Sequence, residues 1–236
     1  MTKTLLLQIK HFWKSLQKRG FLKTLILTHS TLFDNSFDKK YKLKTNLKHD
    51  PKDSEPELMN VGQAEPYVPV RYKPFLGFLQ RSGINPDLAF VDLGCGKGRA
   101  MIIAAEYGFK KIRGVEFSKK VHDCAQKNIN QIQPHYQDTC FELFYLDVLN
   151  YQIRPDDSCF FLYHPFDKTI LEMCLSNIQK SVEQNPRKIF LIYHDNLSSA
   201  NYKLLYCTNW LSAIKKDELQ GNIFTIFSNK LEPKNP

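Results

Sequence analysis

The stretch VDLGCGKGRA, residues 91–100, puts glycines at 94, 96 and 98 behind a short apolar run and an aspartate. Apolar residues ending in an acid read as a buried strand whose carboxyl end carries a turn. Gly94 and Gly96 let the backbone approach a ligand with no Cβ in the way. Gly98 allows the next helix to pack closely. The helix that follows would present its unpaired N–H groups to that ligand. Lys97 and Arg99 are expected on the first helical turn, facing solvent.

Outward from this stretch, strands and helices alternate. Strands are expected at 89–93, 111–117, 141–146, 159–164 and 188–194. Helices are expected at 97–107, 118–131 and 168–183, the second with Val121, Cys124, Ala125 and Ile129 on one face. Repeated strand–helix units imply a mostly parallel sheet covered on both faces. Two further candidate strands near the C-terminus, joined by a turn at Gln220-Gly221, imply an antiparallel edge. The expected fold is α/β: a Rossmann-like, doubly wound, seven-stranded sheet, mostly parallel, with an antiparallel C-terminal edge strand and an N-terminal helical arm.

Charge is unevenly placed. Residues 1–50 hold 11 Lys/Arg against 3 Asp/Glu, while the remainder holds 22 against 21. Residues 4–28 have helical spacing, with Leu5, Ile9, Phe12, Trp13 and Leu16 on one face and Lys10, Lys14 and Lys18 opposite. Residues 34–60 are polar and broken by Pro51 and Pro56. The division read here is a basic helical arm and polar linker over 1–60 and a catalytic domain over 61–236. The arm over 1–28 has three candidate partners: an anionic membrane surface, nucleic acid or its own domain. The six scattered cysteines lack C-x-x-C or Cys/His ligand spacing, so they read as reduced thiols of a cytoplasmic protein with no metal site. The run at Leu5–Leu7 is too short for a signal peptide. No apolar run reaches 18 residues.

Asp92-x-Gly94-x-Gly96-x-Gly98 differs from the dinucleotide pattern G-x-G-x-x-G and resembles motif I of the class I S-adenosylmethionine (SAM)-dependent methyltransferases. That resemblance implies SAM as cofactor. Asp92, Gly94, Cys95, Gly96 and Gly98 would then hold its amino-acid end. Glu116, 24 residues after Asp92 and followed by Phe117, would accept from the ribose hydroxyls; it also stands where Ser118 opens a helix, so a cap region is the other reading. Asp147, with Val148 beside it, matches the position that contacts the adenine amino group, although an Asp after a strand is also a common turn residue.

LYHPFD, residues 162–167, resembles the family's motif IV, the loop placed over the transferred methyl. A closer resemblance is to uncharacterised bacterial methyltransferases with an N-P-F loop and an upstream Y-x-P segment. Here His164 replaces the Asn, followed by Pro165 and Phe166. A neutral imidazole accepts a hydrogen bond or takes a proton near pH 7, or serves as a structural strand-end residue. Tyr67 and Pro69 match the Y-x-P positions, and Tyr72 is a further candidate for the cofactor pocket. A proline-rich connector explains these residues equally well. His194 and Asp195 follow the fifth strand, as acceptor contacts or as a turn. The implied activity is methyl transfer from SAM to a nucleophile, with nitrogen of a protein side chain or other amine ahead of RNA. The alternatives are an inactive SAM-binding module that docks a partner through its arm, and an NAD-linked oxidoreductase.

Overall fold

The computed structural model describes residues 37–45, 68–163, 166–194 and 200–230. The expected arm over 1–28 lies outside them, as do Tyr67, His164, Pro165 and Asp195.

Seven strands form one sheet: β1 (Ala89–Leu93), β2 (Lys111–Glu116), β3 (Cys140–Tyr145), β4 (Asp157–Leu162), β5 (Phe190–His194), β6 (Leu211–Leu219) and β7 (Asn222–Asn229). Their order across the sheet is β3-β2-β1-β4-β5-β7-β6. The first five run parallel, and β7 pairs antiparallel with both β5 and β6. The Rossmann-like expectation holds, with one change of detail. The C-terminal strand β7 lies inside the sheet, and β6 is the antiparallel edge. The hairpin turns at Gln220 and Gly221, both with positive φ (52° and 76°), as a two-residue turn requires. The β6 edge is broken by a register shift between Ala213 and Lys215 and carries Lys216, Asp217 and Glu218, which protects it against edge-to-edge pairing.

Among the described residues, five helices of eight or more residues accompany the sheet: α1 (Tyr72–Ser82), α2 (Arg99–Tyr107), α3 (Lys119–Ile132), α4 (Lys168–Gln184) and α5 (Ala200–Cys207). Alternate strand residues enter opposite cores, as the two-residue period demands. Phe90, Phe161, Ile192 and Phe224 meet α1 and α2 on one face. Val91, Phe160, Tyr193 and Phe227 meet α4 and α5 on the other. Each such aromatic contributes roughly 1.5–3 kcal/mol by leaving water. α5 was not foreseen; its apolar periodicity is weak, and it forms because Tyr202 and Leu205 find the second core.

Residues 37–45, expected within a polar linker, pack on the domain. Phe37 and Leu43 are buried in the first core, while Lys39, Lys40, Lys42 and Lys44 stay exposed. A lysine-rich composition concealed an anchoring set of buried residues among the charges. None of the described helices is long and apolar enough to cross a membrane.

Candidate functional site

The chain builds β1, β2 and β3 to one side and then returns to place β4 on the other side of β1. The carboxyl end of β1 is therefore the topological switch point, where such sheets bind ligands. Asp92 to Gly98 occupies it. Gly94, Gly96 and Gly98 have φ of 88°, 54° and 80°, a left-handed conformation that penalises any side chain. A Cβ on Gly98 would lie 3.6 Å from Ile129, an ordinary contact, so the backbone angle and not space demands glycine there. The turn is held from behind, because the N–H groups of Gly94 and Cys95 both donate to the carbonyl of Val115 on β2 (3.0 and 2.9 Å).

Two carboxylates stand at this turn. Glu116 is buried; its oxygens accept from Gly96 N–H (3.0 Å) and Ser118 N–H (2.8 Å). Burial pushes its carboxyl up to about 7, against the pull of those backbone donors. Glu116 thus ties the glycine turn to the start of α3 and keeps further lone pairs for an incoming donor. Ser118 occupies the N-cap position, but its side chain makes no cap bond. Asp92 is 3% exposed, and its Oδ2 has no hydrogen-bond partner among the described residues. Burial, and the charge of Glu116 after it, hold its carboxyl well above the usual range. An orphaned buried carboxylate oxygen beside a second carboxylate is a place for a cation or a strong donor. It is a poor place for the pyrophosphate of a dinucleotide.

The other expected contacts are distributed as follows. Cys95 turns its side chain inward, 4% exposed, with Sγ 2.9 Å from where a Cβ on Gly114 would stand. Its thiol also lies 3.9 Å from the carbonyl of Gly96. Phe117 and Val148 are half-buried near the carboxyl ends of β2 and β3. Asp147 is buried; its Oδ1 accepts from Leu149 N–H (2.9 Å) and caps the short turn Val148–Asn150. Phe166 is packed in the second core, and its carbonyl accepts from Asn201 of α5 (2.9 Å), so the unforeseen helix anchors Phe166.

Three expectations are corrected. Lys97 and Arg99 do not face solvent; they are 7% and 1% exposed. α2 buries seven consecutive residues, Arg99 to Ala105, because it lies between the sheet and the segment over 37–45, so its first turn has no free face. Tyr72 does not reach the glycine turn. Its hydroxyl donates to Glu106 (2.6 Å), near the end of α2 opposite that turn, and its ring stacks on Phe37 at 4.5 Å. His194 is 6% exposed between Tyr163 and Phe224, with ring centroids 4.4 and 4.3 Å away. Its Nδ1 lies 2.8 Å from the carbonyl of Ile223, which only a protonated Nδ1 can satisfy, so this ring is a structural wedge between β4, β5 and β7.

The sequence reading missed Asn128, the one polar residue on the buried face of α3, with Val121, Ala125, Ile129 and Ile132. Its side chain bridges Lys44 N–H and the carbonyl of Lys97. A lone amide on an apolar helical face was the available signal.

Comparison with known proteins agrees with this fold. The family model described as histone methylation protein DOT1 matches residues 60–157, a span that includes the glycine turn, Glu116 and Asp147. No curated protein sequence matches the chain. Among solved structures, an RNA methyltransferase from Salinibacter ruber in complex with S-adenosyl-L-homocysteine aligns with TM-score 0.51 and 18% identity, over 71% of this chain and 98% of that one. A ribosomal protein L11 methylase from Lactobacillus delbrueckii subsp. bulgaricus aligns with TM-score 0.51 and 16% identity, over 75% and 91%. A protein of the NADB-Rossmann superfamily from Streptococcus agalactiae gives 0.52 and 11%, over 72% and 73%. By fold and by the family-model match, this chain has the architecture of a SAM-dependent methyltransferase.

Proposed function

We propose that this chain transfers the methyl group of SAM to a nitrogen nucleophile, a protein side chain or another amine. The observation that carries the cofactor reading is Asp92: a buried carboxylate with an orphaned oxygen, at a left-handed glycine turn, beside Glu116. SAM bears an ammonium and a sulfonium and no phosphate, which suits two carboxylates. The pyrophosphate of NAD would instead face two carboxyl groups where it needs positive charge, which weighs against the oxidoreductase alternative.

When bound, SAM supplies an electrophilic methyl group. Asp92 with the Gly94–Gly98 turn would hold the ammonium end, Glu116 would accept from the ribose hydroxyls, and Asp147, Val148 and Phe117 would border the adenine. Tyr67 belongs to the segment proposed to cover the cofactor. His164, Pro165 and Phe166 form the proposed motif-IV-like loop, where a neutral His164 would accept a hydrogen from the incoming amine and align its lone pair. Such positioning is the main catalytic device available to a site of this kind. A family model described by histone methylation supports a protein acceptor.

Calorimetric titration of the full chain with SAM, S-adenosylhomocysteine and NAD tests the cofactor. Heat with the two sulfur ligands and none with NAD is expected; the reverse would overturn the reading. Incubation with methyl-labelled SAM and cell extract then tests the acceptor. Label in protein, lost on replacing His164 by Ala, supports it; label confined to RNA overturns the protein-amine reading, and label in no fraction makes the chain a binding module.

A further inference from the structure

We propose that residues 37–45 are a positioning clamp for the cofactor turn, so that this segment sets the affinity of the chain for SAM. The inference rests on the cofactor reading above and extends it to residues that touch no ligand.

Two bridges run from the segment to the two neighbours of Gly98. The first ends on Arg99. Its guanidinium, 1% exposed, donates from Nε to Thr45 Oγ1 (2.6 Å) and from Nη2 to Asp38 Oδ1 (2.9 Å). Asp38 in turn accepts from the N–H of Thr45 through Oδ2 (3.0 Å) and from its hydroxyl through Oδ1. Asp38, Thr45 and Arg99 therefore close a buried triangle. The second bridge ends on Lys97. The Asn128 amide, 4% exposed, accepts from Lys44 N–H (3.0 Å) and donates to the carbonyl of Lys97 (2.9 Å).

The position of these bridges is what makes them more than packing. A run with three glycines loses more conformational freedom on ordering than any other backbone. If the protein fixes that run in advance, ligand binding does not bear the ordering cost, and affinity rises. Glu116 holds the turn from the β2 side through Gly96. The clamp holds the residues on either side of Gly98 from outside. Asp38 and Thr45 bond each other as well as Arg99, so detaching the segment would break these bonds together, and the bridge is expected to be made or broken as a unit. Coupling between the segment and the ligand must be reciprocal: if the clamp favours SAM, SAM favours the clamp.

The test uses the full chain and three variants. Asn128→Leu removes both amide bonds and keeps the branched shape of the side chain. Asp38→Asn removes the carboxylate charge. Ile178→Val, in α4 on the opposite face, is a control that lowers stability without touching the clamp. SAM dissociation constants are measured by calorimetry, thermal stability alongside, and hydrogen exchange at the amides of Lys44 and Thr45 with and without SAM. The expected result is a five- to tenfold weaker Kd in Asn128→Leu and Asp38→Asn, an unchanged Kd in Ile178→Val, and slower exchange at Lys44 and Thr45 when SAM binds the wild type. Variants that melt earlier but keep Kd within twofold would make the bridges purely structural and overturn the clamp, with the cofactor reading intact. Unchanged exchange at Lys44 and Thr45 in SAM-bound wild type would overturn it as well, even should Asp38→Asn fail to fold. Absence of SAM binding by the wild type would instead overturn the cofactor reading, and the clamp with it.

Discussion

Replacing Asp92 by Asn separates what this carboxylate does for the fold from what it does for the ligand. The side chain is 3% exposed and its Oδ2 is orphaned. Burial, then the charge of Glu116, raise its carboxyl well above the usual range. In the unfolded chain an aspartate titrates near 3.9. Between about pH 4 and its higher folded value, the folded state therefore keeps a proton that the unfolded state has lost. Stability contributed by this group is fully present at low pH and is lost as pH rises, at ~1.4 kcal/mol per pH unit while the two states differ by one proton. Asn at 92 is neutral at every pH. It replaces an orphaned oxygen by an orphaned amide, so near pH 4 the two proteins should differ by no more than about 1 kcal/mol. At pH 8 the variant should be the more stable of the two, because the wild type has lost the contribution of its protonated Asp92 as pH rose. Toward SAM the sign reverses. Removing one partner of a buried charge pair costs about 2–5 kcal/mol, and each ~1.4 kcal/mol is tenfold. The low end, about 30-fold weaker binding, is expected because Asn still accepts a hydrogen bond. Urea denaturation at pH 4.5 and pH 8 and calorimetry with SAM measure both effects. A variant less stable than wild type at pH 8, or a SAM Kd within threefold, would refute the argument.

Three other outcomes are expected. Gly98→Ala should cost about 1–2 kcal/mol in urea denaturation from its φ of 80° alone, since no neighbour stands closer to the new Cβ than 3.6 Å; a change below about 0.5 kcal/mol would contradict the backbone argument. Gly114→Ala should cost about 1–3 kcal/mol by overpacking, because the new Cβ would collide with Met101 Sδ and stand 2.9 Å from Cys95 Sγ; since Cys95 lies in the turn, SAM binding should weaken too, and trimming Met101 to Ala should restore part of the stability. SAM binding should tighten as pH rises from 6 to 8, as the Glu116 carboxyl, pushed up to about 7 by burial, loses its proton and becomes the better acceptor; a profile equally steep in Glu116→Gln would assign the titration to another group.

Much of this protein is decided by residues near one another in the chain. The glycine turn announces itself because only glycine tolerates the three positive φ angles, whatever surrounds it. The central strands announce themselves because both faces of a parallel sheet are buried, which leaves unbroken apolar runs such as AFVDL. The Gln220-Gly221 turn sits where its two positive φ angles need it. Tertiary structure decided what depends on distant partners. Arg99 looks like a solvent-facing helix-start cation until Asp38 and Thr45, 61 and 54 residues away, are folded onto it. The lysine-rich 37–45 segment looks like linker until Phe37 and Leu43 find the first core. Tyr72 and His194 look like ligand contacts until Glu106 takes the hydroxyl of the first and Tyr163 with Phe224 stack on the ring of the second. Backbone conformation is written locally in residue type, whereas the burial of a charge or a ring depends on which distant segment covers it. A single sequence does not print that pairing.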